Sequence, residues 1–481
     1  MRRAGDAVAR LSRALAPHAT HVWVAAGPGN NGGDGLEAAA QLQRAGLQVS
    51  VTWLGDAARA PADAKDALER AQAAGVRIEA HLPGDAVECD FAIDALLGIG
   101  MGMGIGTGNT TAREPTGALL ATLQRLNRIG APVLAVDLPS GLATDTGHAT
   151  ANACVRATHT LSLLTLKPGQ FTASGRDHAG TVWLDTLGCN TALEPADAWL
   201  QGVSKLAPVA RAHADHKGSF GDVAVVGGAR GMRGAAWLAA RAAHAAGAGR
   251  VFVDSLDAAE DAAAAVDPLR PELMFAAGWC ERDASVLKHS TVVCGCGGGD
   301  AVRRVLPRLL SRVPRLVLDA DALNAVAADA SLLALLCQRR EREQATVLTP
   351  HPLEAARLLG CSAVEVQADR LHAAHRLVEM TGCVVVLKGS GSVIAAPGEV
   401  PRINATGNGS LASAGTGDVL AGWLGGLWAQ AVATNNAFAD AFRVAARAVA
   451  EHGAAAEPER PGALRAGDLI EILHHRSRGL A

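Results

Sequence analysis

His21-Val22-Trp23-Val24-Ala25-Ala26 runs directly into Gly27-Pro28-Gly29-Asn30-Asn31-Gly32-Gly33-Asp34-Gly35. The first six residues read as a buried strand and the glycines as a turn, with a helical pattern from Leu36 to Ala45. Glycines let backbone amides approach an anion, and a helix N-terminus adds a favourable dipole. The spacing is not the dinucleotide fingerprint G-x-G-x-x-G. A structural turn capped by Asp34 is the plainer alternative.

Outward from this stretch, apolar runs alternate with alanine-rich helical patterns. Further strands are expected at Gln48 to Leu54, Phe91 to Ala95, Val133 to Asp137, Thr160 to Leu164 and Thr181 to Leu184, with a helix at Asp63 to Ala74. Such alternation predicts a mostly parallel sheet covered by helices on both faces, with ligands at the carboxyl ends of its strands. From Thr186 to Asp215 the pattern fades around Pro195 and Pro208. A second series then begins at Asp222 to Gly228. It continues at Arg250 to Asp254, Thr291 to Cys294, Leu316 to Asp319, Thr346 to Leu348 and Val384 to Lys388, before helices at Thr416 to Gln430 and Asn436 to His452.

The second half carries its own glycine cradle, Gly407-Asn408-Gly409 followed by Ala414-Gly415-Thr416-Gly417-Asp418. Successive amides from Gly415 onward would form an anion hole, and Asp418 at the helix start would take a proton from an attacking hydroxyl. An N-terminal capping role for Asp418 is compatible with that. In the first half, Asp94 and Asp137 each end a strand. Asp137 suits proton transfer in a cleft, while Asn31, Asp94 and the Ser140 region offer hard oxygen ligands for a group IA or IIA cation.

The 481 residues exceed one core, so two domains are expected. A formal net charge of −3 argues against nucleic acid as a partner. Nine cysteines at irregular spacing form no zinc pattern and read as reduced thiols. No apolar run spans a bilayer and no secretory signal opens the chain, so no membrane partner and a cytoplasmic address are expected.

Taken in order, Gly29-Asn30-Asn31-Gly32-Gly33-Asp34-Gly35, Asp94-Ala95-Leu96-Leu97-Gly98, Val136-Asp137-Leu138-Pro139-Ser140-Gly141, Asp145-Thr146-Gly147 and Lys167-Pro168-Gly169 resemble the epimerase domain of the NAD(P)H-hydrate repair enzymes. The resemblance implies that Asn30, Asn31, Gly32, Gly33 and Asp34, with Gly98, Ile99, Gly100, Met101, Gly102, Met103 and Gly104, hold the hydrated dinucleotide. It implies K⁺ on Asn31, Asp94 and Ser140, and Asp137 as the acid/base group that interconverts the two epimers. That family usually carries a further helical segment ahead of the stretch matched by Arg3-Ala4-Gly5, near which this sequence begins. An upstream start or a shortened epimerase wall is the expectation.

Gly415-Thr416-Gly417-Asp418 resembles the ribokinase-like superfamily. The match narrows through His216-Lys217-Gly218, Gly234-Ala235-Ala236, Arg270-Pro271-Glu272, Asp319-Ala320-Asp321, Thr349-Pro350-His351-Pro352 and Leu387-Lys388-Gly389, which look like the ADP-dependent NAD(P)H-hydrate dehydratase domain. This implies Asp418 as base and Lys388, Gly389, Ser390, Gly391, Ser392 and Gly417 around the AMP portion of ADP. Ala235, Gly297, His351 and Asp418 would face the hydrate, and Mg²⁺ would accompany ADP. Cys296 stands where the family generally has proline, and Leu353 where glycine is usual.

The expected fold is therefore α/β. A Rossmann-like three-layer epimerase domain occupies residues 1–190, a linker 191–215, and a ribokinase-like α/β dehydratase domain 216–481, in a homo-oligomer. The competing readings are a small-molecule kinase with a regulatory N-terminal domain, and a dinucleotide sensor that does not turn over.

Overall fold

The computed structural model describes residues 1–82, 89–99, 115–150, 152–191, 195–203, 211–256, 267–457 and 463–479. Gly100, Met101, Gly102, Met103 and Gly104, expected to hold the dinucleotide, lie outside the described residues. The chain divides into two compact units, Met1–Pro195 and Ala196–Ala481.

Among the described residues, seven strands build the first unit: β1 (His21–Ala26), β2 (Gln48–Trp53), β3 (Arg77–Glu79), β4 (Phe91–Ala95), β5 (Val133–Val136), β6 (His159–Leu163) and β7 (Thr181–Asp185). Their order is β3-β2-β1-β4-β5-β6-β7, and every pairing is parallel. Helices α1 (Arg2–Leu15), α2 (Asn30–Arg44), α3 (Ala62–Ala73) and α4 (Gly117–Arg128) accompany them, with a single helical turn at Gly175–His178. Val22 and Val24 pack with Val8, Leu36, Leu42 and Leu68 on one face of the sheet. Trp23 and Ala25 pack with Leu123 and Leu126 on the other. Burial on both faces explains why β1 reads as a continuous apolar run. The strand order reverses between β1 and β4, which opens a crevice at their carboxyl ends.

The glycine-rich run is not a loop ahead of the helix, because α2 already begins at Asn30. Its glycines serve close packing. A Cβ on Gly32 would lie 1.9 Å from the Gly27 carbonyl oxygen, and one on Gly35 would lie 2.5 Å from the Ala95 Cβ.

The second unit holds ten strands: β8 (Trp199–Gln201), β9 (Asp222–Gly227), β10 (Arg250–Ser255), β11 (Met274–Phe275), β12 (Ser290–Cys294), β13 (Arg315–Leu318), β14 (Thr346–Leu348), β15 (Val384–Leu387), β16 (Val393–Ala395) and β17 (Arg402–Asn404). The order is β11-β10-β9-β12-β13-β14-β15-β16-β17-β8. Only β16 runs antiparallel to both neighbours. Within the stretch read as a linker, Trp199–Gln201 forms β8 and pairs in parallel with β17. Three residues with Trp199 and Leu200 exposed leave no burial pattern to read.

One face of this sheet packs Val223 and Val225 against Ala239, Val419 and Leu424; the other packs Ala224 and Val226 against Leu306 and Leu323. Helix Thr416–Gln430 lies tight against helix Arg233–Ala245, since a Cβ on Gly422 would stand 1.9 Å from the Ala239 carbonyl oxygen. That close approach fixes where the first turn of Thr416–Gln430 points. No helix among the described residues is long and apolar enough to cross a membrane.

Candidate active sites

In the first unit, the predicted cation ligands converge around Leu97. Asn31 donates through Nδ2 to the Leu97 carbonyl at 2.9 Å, and the Leu97 amide donates to Ser140 Oγ at 2.8 Å. Asp94, fully buried at the end of β4, accepts from Ser140 Oγ at 2.7 Å, the Ser140 amide at 2.8 Å and the Leu96 amide at 3.2 Å. Burial pushes its pKa up to about 6 even though these bonds favour the carboxylate. Its hydrogen-bond partners are all neutral. A buried carboxylate with no ion pair among the described residues, beside amide, hydroxyl and carbonyl oxygens, fits a hard monovalent cation.

Asp137 follows β5 with φ +68, a left-handed conformation that costs energy for a non-glycine residue. Its Oδ1 accepts from the Leu163 amide at 3.0 Å and forms an ion pair with Lys167 Nζ. Lys167 is also held by the Leu163 carbonyl at 2.7 Å and Ser162 Oγ at 3.3 Å, while Gln170 Nε2 donates to the Asp137 carbonyl at 2.8 Å. Asp34, one turn into α2, has its pKa raised to about 7 by burial, with the Asp137 charge adding to the effect. Gly98 stands beside Asn31, since its Cβ would lie 3.0 Å from the Asn31 Cβ.

In the second unit, side chains from the carboxyl ends of four neighbouring parallel strands meet. Cys296 follows β12, Asp319 β13, Thr349 β14 and Lys388 β15. Lys388 Nζ lies 2.7 Å from Asp319 Oδ1, which also accepts from Thr349 Oγ1 at 2.8 Å. Asp418 sits in the first turn of Thr416–Gln430, behind Gly415 with φ +90. Ligand atoms of Cys296, Asp319 and Asp418 all lie within 4.8 Å of one another. Burial and the Asp319 charge push the Asp418 pKa up to about 6. The first-turn amides of this helix have no intrahelical acceptors and point outward from its N-terminus. The buried imidazole of His452 meets the Thr416 carbonyl at 2.9 Å and fixes that turn.

The two regions of the chain match separate families. Residues 1–169 match the YjeF-related protein N-terminus, and residues 223–474 match NAD(P)H-hydrate dehydratase. The bifunctional NAD(P)H-hydrate repair enzyme Nnr of Escherichia coli strain K12 is 36% identical over 466 residues, covering 95% of this chain and 84% of that protein. The chain belongs to the family of bifunctional NAD(P)H-hydrate repair enzymes. Its relative from Coxiella burnetii is 35% identical over 445 residues, covering 89% of this chain and 85% of that one. The crystal structure of the ADP/ATP-dependent NAD(P)H-hydrate dehydratase from Bacillus subtilis, co-crystallised with ATP and Mg²⁺, is 28% identical. It covers 57% of this chain and 94% of that one, with a TM-score of 0.45.

For this member of the family, several residues singled out in the sequence meet in space. Gly297, at φ +60, abuts Ala235: a Cβ there would lie 3.0 Å from the Ala235 Cβ and 2.6 Å from the Met232 carbonyl oxygen. Gly417 faces Lys388, whose Nζ would lie 3.4 Å from a Cβ at that position. Gly389, at φ +140, turns the chain over the buried Arg370, which donates to the Leu387 and Lys388 carbonyls at 3.1 and 3.2 Å. Ser392 Oγ closes the turn on Gly389, with Ser390 exposed and Gly391 at φ +60. His351 caps helix Pro352–Leu359, its Nδ1 accepting from the Leu353 and Glu354 amides at 3.1 and 3.2 Å. That leaves the proton on Nε2, which faces Glu354 Oε1 at 3.1 Å. Gly407-Asn408-Gly409 is anchored to the end of the helix that carries His452. Asn408 Nδ2 donates to the Ala456 carbonyl at 2.8 Å, beyond the end of helix Ala437–Ala455.

Four contributors carried no role in the sequence reading: Lys167, Asp319, Thr349 and Glu354. Asp319 had a usable signal, as a carboxylate ending an apolar strand. Lys167 stood in the Lys167-Pro168-Gly169 motif, but nothing local showed that the turn after β6 brings it back to Asp137.

Proposed function

We propose that this chain repairs hydrated nicotinamide dinucleotides with two activities, one in each unit. In the first, Asp137, paired with Lys167, moves the proton that lets the hydroxyl at the hydrated ring carbon leave and return on either face. Asn31, Asp94 and Ser140 hold K⁺, whose charge offsets the buried Asp94 carboxylate and steadies the Leu97–Gly98 turn. Asn30 to Asp34 and the Gly98–Ile99 turn contact the dinucleotide.

In the second unit, Asp418 takes the proton of the ring hydroxyl as it attacks the terminal phosphate of ADP. The first-turn amides of Thr416–Gln430 receive the developing negative charge. Phosphate then departs, the ring double bond reforms, and the products are NADH or NADPH, AMP and phosphate. Phosphate leaves far more easily than hydroxide, which is the reason to spend a nucleotide on a dehydration. Lys388 and the Gly389–Ser392 turn contact the AMP portion; Ala235, Gly297 and His351 contact the hydrate. Mg²⁺ would accompany ADP and offset the phosphate charge. All nine cysteines are free thiols, which suits a cytoplasmic setting.

The observation that carries this reading is Asp418, placed at an amide-rich helix N-terminus within ligand distance of Asp319. The test supplies the full-length chain with resolved epimers of NADH hydrate, ADP and Mg²⁺. Reduced-nicotinamide absorbance should return from both epimers, with one AMP and one phosphate per turnover. A stable phosphorylated product, or absence of released phosphate, would overturn it.

A further inference from the structure

Cys296 is fully buried at the edge of the apolar core, and its thiol lies beside two carboxylates. Sγ lies 4.0 Å from Asp319 Oδ2, a long contact for a weak donor. The other oxygen of Asp319 is held by Lys388 and Thr349. Oδ2 is thus left facing the sulfur, and Asp418 closes the third side. The backbone leaves Cys296 little freedom. Its carbonyl accepts from the Gly228 amide at 3.0 Å, and a Cβ on Gly227 would lie 2.3 Å from that carbonyl oxygen.

We propose that Cys296, Asp319 and Asp418 form a binding site for a borderline divalent cation such as Zn²⁺, distinct in chemistry from the Mg²⁺ that accompanies the nucleotide. One thiolate and two carboxylates are a mixed donor set suited to zinc, whereas magnesium prefers oxygen ligands alone. Tetrahedral zinc with ordinary bond lengths separates sulfur from oxygen by about 3.5 Å. For the pair of Cys296 and Asp319 the observed 4.0 Å needs only a small side-chain adjustment, and Asp418 lies within 4.8 Å of both. Lys388 and Thr349 orient Asp319 by bonding to its other oxygen, as outer partners do at metal centres. The Lys388 ammonium also borders Gly417, so the ion would sit beside a fixed positive charge.

Binding replaces the thiol proton: one Zn²⁺ enters, one sulfur–zinc bond forms, and one proton goes to solvent. The consequence for turnover rests on the proposed role of Asp418. With its carboxylate bound to the ion, it cannot accept the proton of the substrate hydroxyl, and dehydration stops.

The test titrates metal-free, full-length chain with Co²⁺, whose thiolate charge-transfer absorption reports a sulfur ligand directly. The expected result is one such band, displaced by Zn²⁺, kept in Cys189→Ser and lost in Cys296→Ser. With Mg²⁺ in excess, Zn²⁺ should inhibit dehydration. Cys296→Ser, scaled to its own metal-free rate, should weaken that inhibition by roughly 10- to 100-fold. Should Cys296→Ser not fold, Cys296→Ala replaces it. Proton release on Zn²⁺ binding, measured calorimetrically in two buffers, reads the same step in the unaltered chain. Absence of the band, its survival in Cys296→Ser, or binding without proton release would overturn the site. A Cys296-dependent band with dehydration insensitive to Zn²⁺ would support the site and overturn the role given to Asp418.

Discussion

Lys388 Nζ and Asp319 Oδ1 are 2.7 Å apart, tying the end of β15 to the end of β13 across the intervening β14. Thr349, which follows β14, bonds to the same oxygen at 2.8 Å. Three adjacent strands are therefore locked at the rim of the second site. Glu354, buried in the same rim, lies 4.0 Å from the Lys388 ammonium. Removing that ammonium would strand two carboxylates without their cation.

Lys388→Met is accordingly expected to destabilise the second unit by roughly 3–5 kcal/mol, the cost of leaving a buried partner unpaired. Adding Asp319→Leu should return part of that loss. Hydrogen exchange in the β13–β15 peptides of the full-length chain measures both. Equal protection in Lys388→Met and the parent would show that the pair is not holding the rim.

Asp418→Asn should lower dehydration by roughly 10²- to 10⁴-fold, the usual scale for a general base, while epimerisation continues. The pH dependence follows from its surroundings. Proton abstraction needs the carboxylate, and burial with Asp319 nearby raises its pKa to about 6. The kcat/KM for dehydration should therefore rise with pH through about 6 and level off above it. A profile already level at pH 5 would mean that another group is the base.

What could be read from the sequence depended on burial. The central strands β1, β4, β9 and β12 are covered on both faces and appear as apolar runs with sharp ends. Edge elements β3, β8 and β11 span two or three residues each, several of them partly exposed, and leave no such trace. The glycines between Gly27 and Gly35 read as one turn, but only Gly27-Pro28-Gly29 precedes α2; Gly32 and Gly35, inside it, let the helix press against the β1 and β4 ends. Asp94, Asp137 and Asp418 were legible because strand ends and helix starts are local features. The pairing of Lys167 with Asp137 and the approach of Glu354 to Lys388 were not, because those partners lie 30 and 34 residues away along the chain.

Asp137→Asn should suppress exchange between the epimers while dehydration of the S form proceeds at the parent rate. Lys167→Met should act in the same direction, since Asp137 would lose the ion pair that orients it. Epimer exchange followed by chromatography, alongside ADP-dependent recovery of reduced nicotinamide, separates the two activities. Loss of both from either substitution would refute independent sites.

The proposed K⁺ site makes a prediction through Asp94. In the unfolded chain this carboxyl titrates near its ordinary 3.8, whereas in the folded chain burial holds its proton to about 6. Without a cation, its contribution to stability is present below the unfolded pKa and is lost as pH rises through about 6. Bound K⁺ opposes that loss because it needs the carboxylate form. Potassium chloride, compared with tetramethylammonium chloride at equal ionic strength, should therefore raise the melting temperature of the first unit more at pH 8 than at pH 5. Asp94→Asn should flatten both the pH dependence and the K⁺ response, since a neutral amide neither titrates nor attracts the ion. Equal K⁺ stabilisation at the two pH values, or a full response in Asp94→Asn, would place the ion away from the Asn31–Asp94–Ser140 cluster.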